Sequence, residues 1–342
     1  MTDSGTIQTP IPPRRSSRLR RWLRRGAFTA AALVGALLLA GAYGWFIDPG
    51  LLVRTLRAGI YLRLGVEPRS AVVEGHEWPY LETGPRDGRP MIFLHGFGTS
   101  KDAMMQMAAH FGARGWRCIA PDLPGFGAHP FHEGQVHDAA FYTRSLAAFM
   151  DAVGMQHAAV VGTSMGGALA AEFGLEFPDR TDALLLLSPA GVRAPIQNAF
   201  MQRVARGENP LDIARAEDFD AIMNLVFLRP PPVPSPYRRW FVEQALARRT
   251  QTLQIVESMR AFLSGGLQGR LGALRPPTLV LYGDQDAVTD PSMLEVFEAE
   301  IPGVRTWIVE DAGHVAFSDN WPGTRRAMEE FLESLQRTTS GG

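Results

Sequence analysis

Val160-Val161-Gly162-Thr163-Ser164-Met165-Gly166-Gly167 places one serine between glycines, directly after an apolar, β-branched run. A serine held on a sharp strand-to-helix turn projects its Oγ above a sheet, where it can act as a nucleophile. Side chains beside it would collide with the neighbouring strand and helix, so Gly162 and Gly166 leave room. The helix opening at Met165 offers a free N–H and a partial positive charge. An alcohol is a weak nucleophile near neutral pH, so it needs a base, and the base needs an orienter.

Both follow in the order that this turn demands. "DQDAVTD" succeeds the apolar run 278–283, and "DAGHVAF" succeeds the run 305–310. The order serine, acid, histidine is the one that follows a G-x-S-x-G elbow. Of Asp284, Asp286 and Asp290, Asp286 is the expected acid, because G-x-x-D after the strand puts its carboxylate at the loop apex. Asp284 reads as a turn residue and Asp290 as an N-cap before "PSMLEVF". His314 follows the last strand behind a glycine and is the expected base. His76, His110, His129, His132, His137 and His157 read as surface or loop residues. Acyl transfer also needs donors for an oxyanion. "MIFLHGFG" ends a strand at His95-Gly96-Phe97-Gly98, so the N–H of Phe97 can pair with that of Met165. His95 reads as a brace for that loop rather than as a reacting group.

The elements that must hold these residues alternate short apolar strands with longer helical stretches, which implies an α/β fold with a mostly parallel sheet. Eight candidate strands cover 70–75, 78–83, 91–95, 117–121, 158–162, 183–188, 278–283 and 305–310. Helical periodicity falls near 101–114, 138–153, 165–177, 291–300 and 322–336. Between Gly191 and Pro276 no central strand is expected. Helical pieces near 196–206, 217–228 and 237–264, broken by "RPPPVPSP", read as a cap over the carboxyl edge of the sheet, where ligands bind in open α/β sheets. Phe200, Met223, Phe227 and Trp240 give this cap apolar faces that could grip an acyl chain, or that simply pack it onto the core.

Residues 1–25 carry seven arginines and one acid, Asp3, within a chain of 342 residues and formal net charge −1. Nothing in that balance points to nucleic acid. A basic leader before a mildly acidic domain is a membrane pattern. Residues 26–47, "GAFTAAALVGALLLAGAYGWFI", hold no charge and are long enough to cross a bilayer. The arginines keep the leader in the cytoplasm and send the rest across. An uncleaved anchor is expected because the apolar run continues past Ala40-Gly41-Ala42. The competing reading is a signal peptide cleaved at that A-x-A site and a secreted product. The amphipathic stretch 51–68 either lies along the membrane or packs on the domain. Cys118 is the only cysteine, which excludes an intramolecular disulfide and a thiolate metal site. No pattern calls for a metal or an organic cofactor.

"LHGFGTSKDAM", "DLPGFG", "VGTSMGG", "LLLLSPAG", "LYGDQDAV" and "AGH" together resemble the α/β-hydrolase superfamily. Within it the set is similar to the membrane-anchored monoacylglycerol lipase family and to bacterial lipases with an N-terminal anchor. The resemblance implies an eight-stranded sheet flanked by helices, with the cap inserted between the sixth and seventh strands. It implies Ser164 as nucleophile, Asp286 and His314 as its partners, Phe97 and Met165 as oxyanion donors, and a lipid-like ester as substrate. The expected organisation is a basic leader (1–25), a membrane-spanning segment (26–47), an amphipathic linker (48–69), a first core part (70–192), a cap (193–275), a second core part (276–338) and a flexible tail (339–342). The alternative activity is carbon–carbon bond hydrolysis of ring-cleavage products, which uses the same three residue types beneath a similar cap.

Overall fold

The computed structural model describes residues 16–340. Residues 1–15 of the expected leader and 341–342 of the expected tail lie outside the described residues.

Eight strands form one sheet: β1 (Glu67–Val73), β2 (His76–Thr83), β3 (Arg89–Leu94), β4 (Trp116–Pro121), β5 (Ala158–Thr163), β6 (Thr181–Leu187), β7 (Thr278–Gly283) and β8 (Arg305–Val309). Their order is β1-β2-β4-β3-β5-β6-β7-β8. The pairs β1–β2 and β2–β4 are antiparallel and the others parallel. Each expected strand is present, and the sheet starts at Glu67 rather than at residue 70. The central strands are apolar on both faces, as strands covered by helices on each side must be. Ile92, Leu94, Val160, Leu186, Val280 and Tyr282 join one core, while Met91, Phe93, Val161, Leu187, Leu279 and Leu281 join the other. Side chains alternate strictly, so one residue of slippage would exchange the two cores.

Helices cover both faces of the sheet, lead into it and fill the insertion between β6 and β7. They are α1 (Ser16–Phe46), α2 (Pro49–Leu64), α3 (Met105–Gly112), α4 (Ala139–Ala152), α5 (Met165–Glu176), α6 (Ala199–Ala205), α7 (Asp218–Val226), α8 (Ser235–Ala247), α9 (Arg249–Leu263), α10 (Met293–Glu300), α11 (Ala316–Asp319) and α12 (Trp321–Ser340). α4, α5 and α10 pack on the first core, α3 and α12 on the second. α12 runs through Ser340, two residues into the segment expected as a tail.

The cap is α6 to α9. The periodic stretch 237–264 is two helices, broken at Arg248. Ile213, Phe219 and Val242 give the cap a small core of its own, against which Met223 and Phe241 pack. Its neck is closed by two main-chain bonds of Gly191, with Leu263 and Leu267 at 2.9 Å each. Ile255 and Met259 of α9 enter the first core, so the cap is docked rather than tethered.

In α1 the segment Arg25–Phe46 is 22 residues long with mean hydropathy 1.8, and none of its most apolar window is buried. It is the one helix, among the described residues, long and apolar enough to cross a membrane. The chain then turns through Asp48, whose carboxylate caps α2 by accepting the Leu51 N–H at 3.0 Å. Residues 51–64 of the amphipathic stretch lie in α2, which is partly packed and partly exposed. Val53 and Tyr61 of α2 are buried, while Leu51, Leu56 and Leu62 stay exposed. α2 packs against α8, α3 and the end of α1. Arg239 of α8 donates to the Trp45 carbonyl at 2.9 Å, so the N-terminal apolar helix and the cap touch directly.

Candidate active site

Ser164 ends β5 and opens α5 with φ 55° and ψ −118°. A non-glycine residue in that region is strained by about 1–3 kcal/mol and persists only where its surroundings enforce it. Here the Ser164 N–H donates to the Leu187 carbonyl at 2.9 Å, and its carbonyl accepts from Ala168 at 3.0 Å and Ala190 at 3.2 Å. The glycine requirement is steric. A Cβ on Gly162 would lie 2.1 Å from the Gly166 carbonyl oxygen, and one on Gly166 would lie 2.4 Å from the Leu94 carbonyl oxygen. Those contacts are against backbone, which cannot step aside.

Asp286 and His314 meet across the loops that follow β7 and β8. His314 Nδ1 lies 2.9 Å from Asp286 Oδ2 and 3.1 Å from Oδ1. Both residues are buried. The Oδ1 atom also accepts the N–H groups of Val288 at 2.9 Å and Thr289 at 3.0 Å. A carboxylate acceptor at Nδ1 leaves Nε2 without a proton and able to accept one. Asp284 instead accepts the Ala312 N–H at 3.0 Å and serves as a turn residue. Asp290 accepts the Ser292 N–H at 3.0 Å, making the turn before α10, which starts at Met293.

The strand β3 delivers the third component. Gly96 approaches Ser164 so closely that a Cβ there would lie 3.4 Å from the Ser164 Cβ. Neither the Phe97 nor the Met165 N–H has a hydrogen-bond acceptor among the described residues. Two unpaired donors beside a strained serine, one at a helix N-terminus, suit a developing oxyanion. His95 is fully buried and holds this loop: its Nε2 accepts from the Leu123 N–H at 3.0 Å, and its Nδ1–H donates to the Gly96 carbonyl at 2.8 Å. Burial lowers its pKa, which keeps the ring neutral and able to accept.

Other parts of the frame were given no role from the sequence. Lys101 Nζ and Asp122 Oδ2 form a buried pair at 2.6 Å, and Asp122 also accepts the N–H groups of Lys101 and Ala128, each at 2.8 Å. Asp319 accepts from Gly313 at 2.9 Å, Leu228 at 3.0 Å and Arg229 at 3.2 Å, joining the His314 loop to the cap. Thr289 touches both Asp286 and His314. Lys101 and Asp122 lie in the quoted motifs "LHGFGTSKDAM" and "DLPGFG", but the tertiary contacts alone show what each of these residues holds.

The four cap residues separate. Phe227 ends α7 beside the His314 loop, its carbonyl carbon 3.3 Å from the position of a Cβ on Gly313. Phe200 lies on α6, whose cap residue Asn198 donates to the Ala287 carbonyl in the Asp286 loop at 3.2 Å. Met223 packs in the cap's own core. Trp240 faces α2, its Cδ1 3.3 Å from the position of a Cβ on Gly50. Of the histidines read as surface or loop residues, His129 and His137 are loop residues but buried, because Trp78, Phe131 and Phe141 enclose their rings.

Residues 89–320 match the family model of the α/β hydrolase fold. The chain belongs to this family. Lipase 3 of Moraxella sp. (strain TA144) is 26% identical to this α/β hydrolase over 270 residues, spanning 78% of the chain and 84% of that protein. Monoacylglycerol lipase abhd6-B of Xenopus laevis is 25% identical over 321 residues, spanning 88% and 92%. Among solved structures, a membrane phospholipase A described as a bacterial virulence factor superposes with TM-score 0.80 at 31% identity, covering 91% of this chain and 99% of that one. With relatives of this kind, the α/β hydrolase is a carboxylic ester hydrolase.

Proposed function

We propose that the enzyme cleaves a lipid ester, of the monoacylglycerol type, through Ser164, His314 and Asp286. The Ser164 Oγ attacks the ester carbonyl while His314 Nε2 takes its proton. Asp286 holds the ring and stabilises the imidazolium that forms. The Phe97 and Met165 N–H groups receive the oxyanion. His314 then protonates the departing alcohol, leaving an acyl-enzyme on Ser164. A water, deprotonated by the same nitrogen, releases the acid.

One observation carries this reading: the strained backbone of Ser164, enforced at the same sheet edge where Asp286 and His314 are paired. The lipid part rests on the exposed apolar helix before the domain and on the lipases and phospholipase among its relatives. The carbon–carbon hydrolase alternative has no comparable support from that helix.

The test is a panel of esters from acetate to decanoate, with monoacylglycerols, on purified full-length protein below micelle-forming concentrations. Ser164→Ala is expected to abolish turnover, with a loss of up to ~10⁶ in kcat. Each acyl CH₂ moved into an apolar groove contributes roughly 0.8 kcal/mol, and the share retained in the transition state raises kcat/KM. Phe227→Ala is expected to flatten that rise. A flat profile in the parent enzyme would remove the lipid substrate, and an active Ser164→Ala would remove the nucleophile.

A further inference from the structure

We propose that Thr289 is a positioning residue for the Asp286–His314 pair, its hydroxyl and main-chain N–H together pinning both oxygens of the carboxylate against the ring. The inference rests on the reading of Ser164, His314 and Asp286 given above.

Thr289 lies three residues after Asp286 on the loop beyond β7 and is buried. Its N–H donates to Oδ1 at 3.0 Å, beside that of Val288 at 2.9 Å. These two bonds hold one oxygen only. The terminal torsion of an aspartate has a broad, roughly twofold well, so the second oxygen needs its own restraint. The Thr289 hydroxyl supplies it, donating to Oδ2 at 2.8 Å. Oδ2 is the oxygen nearer to His314 Nδ1, at 2.9 Å against 3.1 Å.

The same hydroxyl oxygen lies 3.1 Å from His314 Nδ1 and 3.2 Å from the Ser188 carbonyl oxygen. A hydroxyl has one hydrogen and two lone pairs. With its hydrogen on Oδ2, a lone pair is left to face the Nδ1–H. The Ser188 carbonyl is the more distant acceptor for that hydrogen, so the bond to Oδ2 is the one the hydroxyl keeps. Ser188 holds that carbonyl in place by an unusual backbone, φ 46°, with its N–H on the Leu281 carbonyl at 2.7 Å. Two other titratable side chains lie at this corner: Tyr282 donates to the Pro189 carbonyl at 2.6 Å, and Asp290 accepts the Ser292 N–H at 3.0 Å. No proton passes through Thr289 at any step: it moves from Ser164 Oγ to His314 Nε2 and on to the leaving alkoxide.

The experiment compares full-length Thr289→Val, Thr289→Ser and Ser164→Ala with the parent in one detergent. It measures kcat and KM on a soluble p-nitrophenyl ester, the rate of fluorophosphonate labelling, and Tm. A hydrogen bond to a charged group, lost from the reacting assembly, corresponds to roughly a tenfold or larger fall in kcat. Thr289→Val is expected to show that fall with KM within about twofold and labelling slowed in parallel. Thr289→Ser is expected to restore most of kcat, because it restores the hydroxyl. Should the valine variant fail to unfold cooperatively, Thr289→Ala takes its place under the same criteria. Parental kcat without the hydroxyl, a change confined to KM, or failure of serine to rescue would overturn the proposal. A Ser164→Ala protein that still turns over would instead overturn the underlying reading. An inactive Ser164→Ala beside an unimpaired Thr289→Val would sink this inference alone.

Discussion

Asp284 and Asp286 differ by two positions and by everything around them. The Asp286 carboxylate is buried and faces His314 Nδ1, whereas Asp284 accepts a main-chain N–H in a turn. An asparagine at 284 keeps a carbonyl oxygen for that bond, so Asp284→Asn is expected to cost little. Asp286→Asn removes the charge that stabilises the imidazolium and is expected to cost on the order of 10⁴ in kcat. Matched kinetics decide this, and the opposite ranking would reassign the acid. At this scale the sequence marks the three proposed residues by position. Ser164, Asp286 and His314 each follow a strand, in the order that goes with a G-x-S-x-G elbow, and a glycine stands near each of them. Thr289 and Asp319 were not legible, because a threonine or an aspartate in a polar loop has no spacing that distinguishes a brace from a solvated side chain.

The loop from Asp122 to Asp138 shows what an element adds. It carries Phe126, whose ring meets Phe97 at 5.6 Å between centroids, and Gly127, whose carbonyl accepts from Arg248 of the cap. It also carries His129, His132 and His137, each with an Nε2 that is buried and without a partner. Burial lowers the pKa of all three, that of His129 to about 4. Trp78, His132, His76 and Asp122 face or influence the His129 ring, and its Nδ1–H donates to the Pro130 carbonyl at 3.0 Å. The unfolded chain binds a proton near the ordinary histidine value while the folded one resists until about pH 4. Stability from this group is therefore complete above about pH 6.5 and falls as the pH drops towards 4, by on the order of 3 kcal/mol. Denaturant unfolding at pH 7 and pH 4.5 is expected to show that loss, and His129→Gln is expected to reduce it. An equal loss in both proteins would mean that His129 is not the group responsible.

At the scale of the molecule, the N-terminal segment is what a membrane orientation would depend on. Arg25–Phe46 is the candidate span, and α2 then clasps the cap through α8. With seven arginines in the first 25 residues held in the cytoplasm, the domain is expected on the far side of the membrane. Protease added to intact spheroplasts should digest it, and protection would reverse the topology. A mature N-terminus at Tyr43 would identify a cleaved signal instead. The fold class could be read from local pattern alone, because buried parallel strands are continuous apolar runs and the turns after them carry the chemistry. The eight strands, the elbow at Ser164 and the insertion between β6 and β7 are all local in that sense. What needed the folded chain was whatever depends on residues far apart meeting. The amphipathic segment after the N-terminal apolar helix lies against the cap while leaving Leu51, Leu56 and Leu62 exposed, and Trp240 meets that segment at Gly50. His129 and His137 are buried because rings from β2, α4 and their own loop close over them. Polarity along a sequence reports which side chains tolerate water, but not which partners arrive from elsewhere to exclude it.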